Sequence, residues 1–124
     1  MLKMDYSGDT FETEWKDSIL FLQVHAFDND LFGLLGIIID AAEKQGPYRV
    51  LWDFRTMAHP GYMKIPRIVY KATQLYSTMK GVEKNSILCP RKYYNFTNSI
   101  IGTLGTSDMF YVGENPIEGR QFLL

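Results

Sequence analysis

Apolar and polar residues alternate loosely from Leu2 to Asp17, with a break at Ser7-Gly8-Asp9. This pattern predicts two short strands joined by a turn, an antiparallel hairpin. From Ser18 to Ala26 (SILFLQVHA) the pattern changes to a nearly continuous apolar run, Ile19 to Leu22 and then Val24. The run is too short for a helix and predicts a strand covered on both faces. A helix is expected next, with Asp28 or Asn29 accepting hydrogen bonds from its free N–H groups and Gly46-Pro47 stopping it after about Gln45. Leu31, Leu34, Leu35, Ile38 and Ala42 share one of its faces, and Ile37 and Ile39 widen the apolar arc. Such a helix is expected to be deeply packed or to meet a partner, and close packing accounts for Gly33 and Gly36.

Tyr48 to Phe54 (YRVLWDF) predicts a second buried strand that ends at Asp53, where the polarity of the chain changes, and the loop Arg55 to Lys64 follows. Between Ile65 and Lys80, Ile68, Val69, Ala72, Leu75, Tyr76 and Met79 recur at helical spacing, with Pro66 tolerated in the first turn. This is the clearest amphipathic pattern in the chain. Gly81 closes it, Asn85 to Cys89 reads as a third strand ended by Pro90, and Phe96 to Leu104 reads as a helix stopped by Gly105. Met109 to Val112 predicts a last strand, and Asn115 with Pro116 predicts the start of a closing helical turn that runs to Leu124. The order is a β-hairpin followed by β-α-β-α-β-α-β-α. It predicts an α/β fold with a small mixed sheet, right-handed parallel crossovers and antiparallel strands at the hairpin end.

The 124 residues match the size of one domain, and 46% apolar with 22% charged residues is the composition of a globular chain. The formal net charge of −1 supplies no overall field to attract polyphosphate or an anionic membrane, so nucleic acid is not an expected partner. Cys89 is the single cysteine, which excludes an internal disulfide framework and a thiol-based zinc site and points to a reducing compartment. Asp5, Asp9, Glu12 and Glu14 stand where a signal peptide would need a basic start and an apolar run, so a cytoplasmic location is expected. The longest apolar stretch, Leu31 to Ile39, is interrupted by glycines and falls far short of the roughly 20 residues of a membrane span.

The strand and long helix at Ile19 to Gln45, the strand ending in Asp at Val50 to Asp53, the strand at Ser86 to Cys89 and the closing MFYVGENPIEGRQFLL together resemble the STAS superfamily. The resemblance is to its SpoIIAA-like branch, the anti-sigma-factor-antagonist-like domains. It implies a non-enzymatic regulatory module that acts by binding a protein partner or as a homodimer. Classical antagonists carry a phosphorylatable Ser, usually after Asp, at the start of the helix that follows the second parallel strand. This chain has RTMAHPGYMKI there, with no Asp-Ser pair, and Thr56 lies too near the strand to stand in for it.

Ligands of open α/β sheets bind beyond the carboxyl ends of the parallel strands, so the loops after Ala26, Phe54 and Cys89 are the informative ones. They supply Asp53, Arg55, His59 and Tyr62 on one side and Arg91, Lys92, Tyr93 and Tyr94 on the other. Cations and phenols in that pattern can hold a small anionic or amphipathic ligand, whereas the bland reading is solvated loop charge. His59 with Asp53 is the best pair for acid–base work, and a structural role for that histidine is the simpler reading. Two histidines without a carboxylate pattern make no metal motif, no cofactor motif occurs, and Cys89 at the end of an apolar strand reads as an inert thiol. The surplus of tyrosines reads as core edge or as contact surface. In order, the expectations are an interaction module, a small-ligand binding protein and, last, an enzyme using His59 and Asp53.

Overall fold

The computed structural model describes residues 5–27, 30–104 and 107–124. Its six strands form one mixed sheet in which spatial order follows chain order. Strands β1 (Tyr6–Ser7), β2 (Phe11–Lys16) and β3 (Ile19–Val24) are antiparallel neighbours, and β3, β4 (Tyr48–Asp53), β5 (Val82–Leu88) and β6 (Phe110–Gly113) run parallel. Helices α1 (Leu31–Glu43), α2 (Ile65–Ser77) and α3 (Tyr94–Leu104) make the three crossovers, and α4 (Pro116–Leu123) closes the chain.

Because every crossover advances by one strand in the same direction, right-handed connections place α1, α2 and α3 on one face of the sheet. The alternation along the strands supplies that face. Leu20, Leu22 and Val24 of β3 and Val50 of β4 are buried against Leu35, Ile38, Ile39 and Ala42 of α1. The opposite face receives only α4, whose Leu123 packs with Ile19, Leu51 and Leu88. Asn115 fixes the start of α4 as the sequence pattern predicts, its Oδ1 accepting from the backbone N–H of Ile117 at 2.8 Å.

The structure departs from the sequence expectations in several places. The β3 segment is covered on both faces only at its start, since Phe21 and Gln23 are half-exposed beyond the reach of the eight-residue α4. Strand β5 begins at Val82 rather than Asn85 because a register irregularity at Tyr48/Arg49 lets Val82 pair early. A 3-10 turn, Arg91–Tyr93, leads directly into α3, so the helix starts before Phe96. Gly33 and Gly36 do not serve close packing: a Cβ added at either would meet nothing within 4 Å. Ile37 is 69% exposed. The expected caps at Asp28 or Asn29, the stop at Gly105 and the residues before Asp5 lie outside the described residues.

Helix α2 has the strongest amphipathic pattern, yet no residue within it is fully buried, whereas α1 buries six. Its apolar stripe faces the sheet without filling the space between. No helix among the described residues is long and apolar enough to cross a membrane.

Candidate functional site

The space under α2 is a cavity of about 560 Å³ between the sheet and the three crossover helices. Val24, Trp52 and Ile87 of the sheet, with Phe54 just past β4, form its floor, Leu31 and Leu35 of α1 one wall, and Ile68, Ala72 and Leu75 of α2 with Ile100 and Ile101 of α3 the rest. Phe27, Phe32, Phe54 and Trp52 extend along one side as a series of near-parallel rings with centroids 6.1 to 6.4 Å apart. The space opens to solvent at its mouth, so it is wetted when empty, and apolar walls hold that water poorly. Its volume lies within the range of about 300–1,000 Å³ usual for small-molecule sites.

Thr73, Tyr76, Cys89 and Thr97 add polar atoms along the walls, and the one cation and the one histidine among the described residues of the lining stand together at one end. His59, Tyr62, Lys92 and Tyr93 stand there, at the carboxyl ends of β4 and β5 where the topology directs a ligand. The His59 ring lies 4.9 Å from that of Tyr62, edge on, and 6.0 Å from that of Tyr93, while Lys92 Nζ sits 5.2 Å from the Tyr93 ring centre. Gly61, at φ +91°, turns its N–H back to donate to His59 Nδ1 at 2.9 Å. A neutral His59 then carries its proton on Nε2, where it can donate to a ligand. Tyr62 is 83% exposed and Phe96 42%, so these lining residues also mark the mouth.

The six candidate residues from the sequence fall into three places. His59, Tyr62 and Lys92 are brought together at the cavity mouth. Asp53 and Arg55 are not part of it: Asp53 lines a broad groove on the opposite, sparsely covered face, and Arg55 folds back on it. Arg55 donates Nε to Oδ1 at 3.0 Å, Nη2 to Oδ2 at 2.8 Å and its backbone N–H to Oδ1 at 3.0 Å. Burial alone would raise the Asp53 carboxyl, but the Arg55 side-chain bonds, backbone bond and charge outweigh it and hold the group below its ordinary range. The pair is thus internally neutralised. Arg91 points outward, its side chain 86% exposed with Nε 4.0 Å from Glu114.

Asp53 and His59, the expected acid–base pair, are bonded to Arg55 and Gly61 respectively and line different faces of the sheet. The histidine that meets a carboxylate is His25: its Nε2 donates to Glu12 at 3.0 Å, and its Nδ1 lies 3.0 Å from the Thr56 hydroxyl. This contact, with the His25 carbonyl accepting from the Ala58 N–H, ties the end of β3 to the loop that carries His59.

Cys89 lines the cavity with its thiol 3.7 Å from the Thr97 hydroxyl, and burial pushes the thiol up despite that bond. No group of three or more potential metal ligands occurs among the described residues. No motif in the sequence marks the apolar lining as a site, because an apolar stripe looks the same whether its neighbour is a side chain or a cavity. The aromatic residues just past the strand ends, Phe27, Phe54 and Tyr93, were the available signal. Compared with known proteins, the chain matches no family model and no curated protein.

Proposed function

We propose that the protein binds a single-chain amphipathic ligand, its apolar tail under α2 and its polar or anionic head at His59, Tyr62 and Lys92. The observation that carries this reading is the cavity of about 560 Å³ with largely apolar walls and with His59, Tyr62 and Lys92 together at its mouth. An apolar tail gains roughly 0.8 kcal/mol for each methylene it buries, and the Lys92 ammonium with the His59 and Tyr62 donors gives the head its orientation. Trp52 on the cavity floor is a built-in reporter, and Trp15 is the other tryptophan.

In a Trp15→Phe background, titration with a long-chain fatty acid is expected to change Trp52 fluorescence saturably. Lys92→Ala is expected to weaken the fatty acid about tenfold and leave the alcohol of equal chain length nearly unaffected. No saturable response to either compound rejects the reading.

A second reading keeps the interaction module that the STAS, SpoIIAA-like resemblance implies. It is favoured by the exposed Ile37 on α1 beside the open Gly33 and Gly36, a face that a second copy can approach closely. Sedimentation equilibrium tests it: a dimer that Ile37→Asp dissociates supports this reading, and a monomer at all concentrations removes it.

A further inference from the structure

The net charge of −1 conceals a separation along the chain. Residues 54–107 contain eight of the thirteen Lys and Arg but only Glu83 of the fourteen acids. Arg55 is neutralised by Asp53 and Lys84 reaches the Phe122 carbonyl on the opposite face, so the cations of this segment that bear on the mouth are Lys64, Arg67 and Lys92. Lys92 lines the cavity mouth, and Lys64 and Arg67 flank the start of α2 beside it. An averaged field says nothing about such a surface; the local one attracts anions.

At the mouth the same segment exposes large apolar groups. In the 3-10 turn Tyr62–Lys64 ahead of α2, Tyr62 is 83% and Met63 95% exposed. Lys64 follows directly, Arg67 lies one turn on and is exposed, and Lys92 stands across the mouth. Gly61 at φ +91° and Pro66 at the head of α2 fix this turn as a protrusion. Glu114 places an acid beside this segment, accepting from the Arg91 backbone N–H at 2.8 Å.

We propose that this rim docks on an anionic lipid bilayer, with Tyr62 and Met63 entering the headgroup region and Lys64, Arg67 and Lys92 meeting anionic headgroups. An exposed thioether and phenol set among cations is the chemistry of an interfacial anchor, since each basic side chain gains about 1 kcal/mol near such a surface and the apolar tips gain by leaving water. A nucleic acid would use the cations but would leave Met63 in water. Docking in this orientation turns the cavity mouth toward the membrane, so a lipid-like ligand passes between bilayer and cavity without crossing water. That consequence rests on the ligand reading above; the docking itself does not.

The test uses the full chain in flotation with phosphatidylcholine vesicles, with and without phosphatidylserine. Binding is expected only with phosphatidylserine and is expected to fall as salt rises. Met63→Asp and the pair Lys64→Glu with Arg67→Glu should each weaken it about tenfold or more, whereas Lys16→Glu, exposed on β2 in the acidic part, should not. No binding to phosphatidylserine vesicles overturns the proposal, as does binding indifferent to Met63→Asp, or a single-stranded oligonucleotide that displaces the vesicles. The Trp52 titration in the same variants separates the two readings. Met63→Asp that loses vesicles but keeps fatty-acid binding supports docking, and vesicle binding with no fatty-acid response leaves docking standing while the ligand reading fails.

Discussion

The indole N–H of Trp52 donates to Oδ1 of Asn85 at 3.0 Å, a bond from a half-buried cavity-floor residue to a side chain with no exposed surface. Asn85 faces the helix side of β5, and its Nδ2 has no hydrogen-bond partner among the described residues. A buried amide satisfied on one side only is expensive to keep, and here it orients the indole that forms the floor. Asn85→Ala is expected to lose about 1–3 kcal/mol in urea unfolding and to broaden the Trp52 emission in the folded state. A variant as stable as the parent with an unchanged spectrum would show that the bond positions nothing.

The cavity itself makes an opposite prediction about size. In a filled core, Ala72→Phe would overpack and destabilise by about 1–3 kcal/mol. Under α2 the added ring enters open space, so the melting temperature should rise, by the equivalent of about 1 kcal/mol, while fatty-acid binding falls. Thermal unfolding and the Trp52 titration, done on the same sample, read both effects.

Stability should also record the Asp53–Arg55 pair. Because the folded carboxyl is held below its unfolded value of about 3.9, its contribution is present above that value and is lost as pH falls through the lower folded one. Asp53→Asn is therefore expected to cost on the order of 1 kcal/mol at pH 7, and its difference from the parent should shrink steadily below about pH 4. A difference that stays constant down to pH 2 would contradict the pairing.

Asp17 and Ser18, at φ 54° and 61°, form the two-residue link between β2 and β3, both in the left-handed region that favours glycine. Ser18→Gly should relieve about 0.5–1 kcal/mol of strain and raise the midpoint of urea unfolding. Ser18→Val, which cannot adopt this conformation cheaply, should lower it.

These elements differ in how far the sequence announced them. Asn115-Pro116 and Gly46-Pro47 carry their meaning locally, because capping and stopping a helix depend on the residue itself. In the Asp17-Ser18 turn Asp17 tolerates the left-handed conformation, whereas at Ser18 it is imposed by the pairing of Lys16 with Ile19. Arg55 reads as a free cation until the chain folds it back onto Asp53 two residues earlier. The stripe Ile68, Ala72, Leu75 predicts a helix correctly but contains no information about how far from the sheet it will sit. The basic run from 54 to 107 was legible throughout, and averaging over the whole chain removed it.

The strictly sequential order of the six strands bears on how the chain reaches this state. Each strand leaving the ribosome finds its partner in the one made just before, so the sheet can lengthen by one edge at a time with no strand inserted between two others. Until β4 arrives, β3 is the growing edge, and the crossover helices shield the helix-bearing face as they come. After β6 comes α4, whose Gly119 carbonyl accepts from the Ser86 hydroxyl and whose Leu123 packs on Leu51 and Leu88. Loss of the final turn of α4 would leave the sheet assembled with Leu51 and Leu88 uncovered on its second face.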